Sequence, residues 1–214
     1  MTPAVFETML VEEGRVRLLD RHLARLRAAG VRVALVDEVR AAVVELAATA
    51  AEPVVVRIEV VDDAVEVRPR EPRPASAVSG VLVEAYDPSD RTREQKRTAR
   101  GWADAAEAAA GGEALLVSPD GLIGETTRAN VFAILGDTVV TPPVSGILPG
   151  VTRSFVLEQT GAVERPLTLA DLRNAEGAFL TTAGRGIVPL ADVGGLRIAA
   201  HPLVDDLAAA WRAL

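Results

Sequence analysis

Apolar and polar positions fall into short runs whose period changes along the chain. Residues 6–11 and 15–19 read as two short strands around the turn Glu12-Glu13-Gly14. Asp20 can cap a helix starting at Arg21, and Gly30 ends it in the C′ position. On that helix Leu23 and Leu26 face one way, while His22 and Arg25 share a neighbouring face. A second helix is predicted over 37–48, where Val39, Val43 and Leu46 recur at the spacing of one buried face, and Pro53 stops it. Residues 54–61 and 64–68, joined at Asp62-Asp63, have the pattern of a β-hairpin. The Pro-, Ser- and Gly-rich stretch 71–80 reads as a linker. Beyond it the pattern predicts a strand over 81–85 and an Ala-rich helix over 97–110, closed by Gly111-Gly112. Strands follow at 114–117, 122–125, 131–135 and 138–141. Pro149-Gly150-Val151-Thr152 opens a helix that Gly161 stops, Thr168-Leu169-Ala170-Asp171 opens a shorter one, and 177–181 is a strand. Short strands and helices mixed in two halves argue for an α/β chain of two α+β subdomains, a small one over 1–80 and a larger one over 81–214.

Composition narrows the function classes. The formal charge is −7 and aromatics make up 3%, so neither the basic field nor the stacking residues of a nucleic-acid binder are present. With no Cys and only His22 and His201, thiolate chemistry is excluded and no metal site is expected. Met1-Thr2-Pro3-Ala4-Val5 has no positive n-region followed by an apolar core, and no apolar run has the length of a membrane span. The expectation is a soluble cytoplasmic protein.

One feature of the charge is sharper. Of the 23 basic residues, Lys96 is the single lysine; the others are arginine. An Arg-favouring composition explains the excess, but guanidinium stays protonated and cannot replace an amine that must attack a carbonyl. The neighbouring Arg93, Arg97 and Arg100 would lower the basicity of Lys96 and favour that chemistry. Pro149-Gly150-Val151-Thr152 offers backbone N–H groups, a hydroxyl and a helix dipole to an anion such as phosphate, and Thr181-Thr182-Ala183-Gly184 is a second turn of that kind. Arg25 can add positive charge. Glu125, among the small and hydroxyl residues of Gly124-Glu125-Thr126-Thr127-Arg128-Ala129-Asn130, can pair with a pyridinium nitrogen or, more simply, with Arg128.

Together these stretches resemble the class IV pyridoxal 5′-phosphate (PLP) enzymes: branched-chain and D-amino-acid aminotransferases and 4-amino-4-deoxychorismate lyase. The resemblance is carried by Val5-Phe6-Glu7-Thr8, by Leu18-Leu19-Asp20-Arg21-His22-Leu23-Ala24-Arg25-Leu26 and by Lys96-Arg97-Thr98-Ala99-Arg100. It continues through Glu125-Thr126-Thr127-Arg128-Ala129-Asn130-Val131-Phe132, Gly146-Ile147-Leu148-Pro149-Gly150-Val151-Thr152-Arg153 and residues 179–189. It implies a two-subdomain fold with PLP in the cleft, Lys96 as the lysine bonded to the cofactor, and Glu125 as the partner of its pyridine nitrogen. It places Arg25, Val151 with Thr152, and Thr182 around the phosphate.

Within that family the resemblance is closest to the lyase, which forms 4-aminobenzoate, a folate precursor, and pyruvate. The lyase carries a Thr where Thr8 stands, which assists proton transfer, whereas branched-chain aminotransferases tend to have Gly. A small amino-acid-like substrate is expected, with Arg100, Arg128 and Arg185 as candidates for its carboxylates, in a homodimer. Members normally carry a further strand and loop ahead of this Phe. The alternatives are therefore an aminotransferase for branched-chain or D-amino acids, and a shortened homologue that binds PLP without catalysis.

Overall fold

A computed structural model describes residues 4–214; Met1, Thr2 and Pro3, on which part of the leader reading falls, lie outside the described residues. The chain opens with a four-stranded antiparallel sheet. β1 (Val5–Glu12) pairs with β2 (Arg15–Val16), and after α1 (Leu19–Ala28) and α2 (Val33–Thr49) the hairpin of β3 (Val54–Val61) and β4 (Ala64–Arg70) completes the order β2-β1-β3-β4. The period of two along β1 decides which side chain goes where. Val5, Met9 and Val11 turn to the helices and share a core with Leu23, Leu26, Val36, Val39 and Val43. Phe6 and Thr8 take the other face, opposite Glu59 and Arg57 of β3.

The second part is a ten-stranded sheet. In chain order it runs β5 (Val78–Glu84), α3 (Gly101–Ala110), β6 (Ala114–Val117), β7 (Leu122–Thr126), β8 (Asn130–Leu135), β9 (Thr138–Thr141) and α4 (Val151–Thr160). Then come β10 (Val163–Glu164), β11 (Leu167–Thr168), α5 (Leu169–Asn174), β12 (Gly177–Thr182), β13 (Gly186–Val193), β14 (Leu196–Arg197) and α6 (Pro202–Arg212). Its order is β10-β9-β8-β12-β13-β5-β6-β7-β11, and a further pairing of Glu125 on β7 with Asn130 on β8 closes six of these strands into a ring. Leu115, Val131, Leu180, Val188 and Leu190 fill one side of it, and the stacked rings of Phe132 and Phe179, 5.0 Å apart, pack on α4 and α6 on the other. No described helix is long and apolar enough to cross a membrane.

Several boundaries move. The division at 80 falls inside β5, which already pairs with the larger sheet from Val78; the small sheet ends at Arg70. Asp20 does not cap α1. Leu18, held at φ 53° by the tight turn out of β2, is the N-cap, and Asp20 sits in the first turn bonded to Arg40 at 2.6 Å. The predicted strand 15–19 shrinks to two residues for the same reason. α2 starts earlier than predicted, at Val33. The most consequential change is at Lys96. The helix predicted from Arg97 begins only at Gly101, because the chain before it makes an isolated β-bridge from Arg97 to Val5: Lys96 O accepts from Phe6 N–H and Thr98 N–H donates to Ala4 O, both at 2.8 Å. Lys96 is thus stitched to the edge of β1. The sequence reading passed over α6, whose Val204, Leu207 and Trp211 are buried at helical spacing.

Candidate active site

The predicted site residues meet in one cleft between the two sheets, a cavity of about 1060 Å³. Lys96, Thr8, Arg25, Glu125, Val151, Thr152, Thr182, Arg100, Arg128 and Arg185 all line it. Two separate chain crossings build its floor. In the larger sheet Glu125, Asn130 and Thr181 sit directly across from one another on adjacent strands β7, β8 and β12, so their side chains share a face. From the small sheet, Phe6 and Thr8 face the same space.

Lys96 is half-buried, with its amine 5.2 Å from the centre of the Phe6 ring. Burial pushes its pKa down to about 7; Glu7 opposes this, while Arg25, Arg100 and Arg57 add to it. The cause therefore differs from the one read in the sequence. Of the three neighbouring arginines, Arg100 is among the largest influences on the amine. Arg93 is turned away to Asp90 and the Ala85 carbonyl, stacked on Trp102, and Arg97 donates to Gln95. Glu125 does not pair with Arg128, which is forked to Glu107. Its carboxylate accepts from Asn130 Nδ2 at 3.1 Å and from Leu148 N–H at 3.2 Å. Burial pushes its pKa up to about 8, against the Leu148 hydrogen bond and the charges of Arg100, Arg93 and Lys96.

The start of α4 is open to an anion. Gly150 is its N-cap and gives no side-chain bond, and the buried hydroxyl of Thr152 has no hydrogen-bond partner among the described residues. A Cβ at position 150 would come within 2.1 Å of Asn130 Oδ1, so only glycine lets the helix start this close to the sheet. Arg25 bonds to the Pro149 carbonyl at 3.0 Å just before it and keeps donors to spare. The orphaned hydroxyl, the free N–H groups and the guanidinium fit a phosphate, and a buried carboxylate with a raised pKa fits a protonated ring nitrogen. The residues fit PLP.

Sequence reasoning missed Glu7 and Asn130, and singled out Thr181 only as part of a turn. Glu7 is 1% exposed on the helix-facing side of β1, and both its oxygens are engaged by α1. A charged residue among inward-facing Val5, Met9 and Val11 was the available signal. Thr181, not only Thr182, matters: its hydroxyl is buried in the cleft wall without a partner, whereas Thr182 is half-buried. Asn130 orients Glu125. Among the three substrate candidates the structure separates one from two. Arg128 is neutralised by Glu107 and Arg185 by Glu113, at 2.8 Å, whereas Arg100 donates only to the Thr127 carbonyl.

A first prediction follows from the open helix start. Thr152→Ala is expected to weaken PLP affinity about tenfold, the worth of one charge-assisted hydrogen bond, without harm to the fold. Arg25→Ala should weaken it further and also destabilise the protein by about 3–5 kcal/mol, since it leaves Glu7 buried without its cation. Titration of apo-protein with PLP beside thermal melts checks both.

Comparison with known proteins bears on the family and the fold. A family model described as amino-transferase class IV matches residues 4–193. A branched-chain-amino-acid aminotransferase of Pseudomonas aeruginosa is 30% identical over 115 residues, which is 49% of this chain and 38% of that relative. The chain thus matches well under half the length of this curated relative. A provisionally assigned 4-amino-4-deoxychorismate lyase of Legionella pneumophila superimposes with a TM-score of 0.86 at 20% identity, covering 99% of this chain and 91% of the other. The PLP-bound form of a hypothetical aminotransferase from Mycobacterium tuberculosis does so at 0.80 and 24% identity, covering 99% and 88%. Both structures speak for the fold.

Proposed function

We propose, from the premise that this chain belongs to the class IV aminotransferases, a family of PLP-dependent enzymes, that it is a 4-amino-4-deoxychorismate lyase releasing 4-aminobenzoate and pyruvate. The observation that carries the choice is electrostatic. In a chain of formal charge −7, ten arginines and Lys96 line the cleft with Glu71, Asp104, Glu107 and Glu125. Six of the arginines (Arg25, Arg57, Arg91, Arg93, Arg128 and Arg185) are ion-paired, which leaves Arg100 among the cations that give it a positive sign. A pocket of that sign draws in an anion and is ill matched to an apolar branched side chain. Arg100, half-buried and without a carboxylate hydrogen-bonded to it among the described residues, is the strongest candidate to meet a substrate carboxylate.

PLP, when bound, supplies the carbonyl that takes the substrate amine and a ring that accepts the electron pair left when a bond at the α-carbon breaks. The chain does the rest. Arg25, the N–H groups at Val151 and Thr152, the Thr152 hydroxyl and Thr182 hold the phosphate. Glu125 would pair with the ring nitrogen and keep it protonated. Lys96 would carry the α-proton as a general base suited to neutral pH. Thr8, half-buried on the cleft face of β1, would offer a hydroxyl to protonate the departing enolpyruvyl group, which leaves as pyruvate. The reading includes a cytoplasmic homodimer, as is usual in the family.

The second reading, an aminotransferase, is favoured by the curated relatives. Both reactions share amine capture and removal of the α-proton, so only the later proton transfer tells them apart. Purified protein should release 4-aminobenzoate faster than it passes an amino group to a keto acid. Thr8→Val, which keeps the shape and removes the hydroxyl, should retain the cofactor and lose about ten- to a thousandfold in 4-aminobenzoate formation. Ready amino transfer with no 4-aminobenzoate would replace the lyase with the aminotransferase.

A further inference from the structure

Glu7 is anomalous where it stands. Its neighbours on the helix-facing side of β1 are apolar, and an apolar residue there would serve stability as well as a buried ion pair does. Instead Oε1 accepts from Arg25 Nε at 2.7 Å, and Oε2 accepts from Arg25 Nη2 at 2.7 Å and from His22 Nδ1 at 2.8 Å. The third arm of the guanidinium reaches Pro149, at the threshold of α4. Glu7 is also the chain neighbour of Phe6, whose N–H holds the Lys96 carbonyl, and a cavity of about 310 Å³ behind the cleft is lined by Glu7, Arg25 and Lys96 together.

We propose that Glu7 is the positioning residue of this site: held by His22, it fixes the guanidinium of Arg25 beside the start of α4 and sets a negative charge next to the amine of Lys96. The inference rests on the reading of Arg25 as a phosphate ligand and Lys96 as the amine that bonds the cofactor. The side-on fork uses two of the five donors of Arg25 and locks its plane, and the hydrogen bond from His22 locks the carboxylate in turn. His22 is 1% exposed, and burial holds its pKa below the usual value, against the pull of Glu7, so it serves as a neutral donor through Nδ1. The groups that face the Lys96 amine are Glu7 from β1, Arg25 from α1, Arg57 from β3, Arg100 from the turn before α3, and Glu125 from β7. Although burial alone would push the carboxyl of Glu7 up, Arg25, Lys96 and His22 hold it well below the usual carboxylate range. It is therefore ionised, and it opposes the arginines in setting the basicity of the lysine.

The test compares the wild type with Glu7→Gln and His22→Gln, titrating each apo-protein with PLP and with pyridoxal, which lacks the phosphate. The pH midpoint of amine capture is read in the same samples. Glu7→Gln is expected to bind PLP about ten- to a hundredfold more weakly while pyridoxal changes far less. Its midpoint should move to lower pH, because the counter-charge is gone. His22→Gln keeps the charge, so it should loosen PLP and leave the midpoint in place. Wild-type PLP affinity in Glu7→Gln, equal losses for both compounds, or a midpoint that stays or rises would overturn the proposal. Should Glu7→Gln fail to fold, unchanged PLP affinity in His22→Gln overturns it and selective loss upholds it. A wild type that takes up neither compound overturns the cofactor reading itself, and this inference with it.

Discussion

Lys96→Arg is expected to leave a folded protein that no longer bonds PLP covalently and has lost at least about 10²–10⁴ in turnover, the worth of the proton transfer alone. The substitution keeps a cation in the cleft, so general electrostatics cannot explain the loss. What disappears is the amine. With its pKa pushed down to about 7, Lys96 is close to half neutral at neutral pH, whereas a lysine at 10.5 would be neutral in only about one molecule in three thousand. The sign of the pH dependence follows. Capture of the aldehyde by the wild type should rise with pH through 7 and level off above about 8, rather than climb toward 10.5. A curve still rising at pH 10 would mean that the amine is an ordinary solvated lysine.

The second large effect is expected at Glu125. Glu125→Ala should slow turnover about 10²–10³-fold, the scale of losing one preorganised electrostatic partner, while PLP affinity changes much less. The alanine also leaves Leu148 N–H unpaired, at about 1–3 kcal/mol of stability, and takes away one of the two acceptors of Asn130 Nδ2, which keeps the Leu148 carbonyl. Glu125→Gln separates the two costs. It retains an acceptor for Leu148 but carries no charge, so it should melt close to wild type and still turn over slowly. Measuring kcat, cofactor affinity and Tm for both variants decides the matter. Equal losses in affinity and turnover would assign Glu125 to binding rather than to the electron sink.

What the chain disclosed in advance, and what it withheld, follows the range of the forces involved. The strands from β3 to β9, the start of α4 and its stop at Gly161 were legible because each depends on residues close in sequence. The register at Lys96 was not, since the partner strand lies ninety residues upstream and the Arg- and Ala-rich stretch after it reads locally as helix. Arg128 and Glu125 looked like a pair for the same reason; the fold sends Arg128 to Glu107 on α3 and gives Glu125 to Asn130 instead. Leu18 shows the converse, a local rule overridden by the tight turn that feeds α1. In the site, family-shaped motifs named candidate cofactor residues that the fold brings into one cleft, but the roles of Glu7 and Asn130 stayed hidden. Their significance is that they are buried polar groups, and burial is a property of the folded chain.

The central claim is that one amine, Lys96, holds PLP in this cleft. The direct measurement is to load the purified protein with PLP, reduce it with borohydride and map the phosphopyridoxyl group by peptide mass spectrometry. Modification of the peptide containing Lys96, together with the loss of a yellow absorbance, is the predicted result. A group found only on the N-terminal amine, or on no peptide at all, would contradict the account.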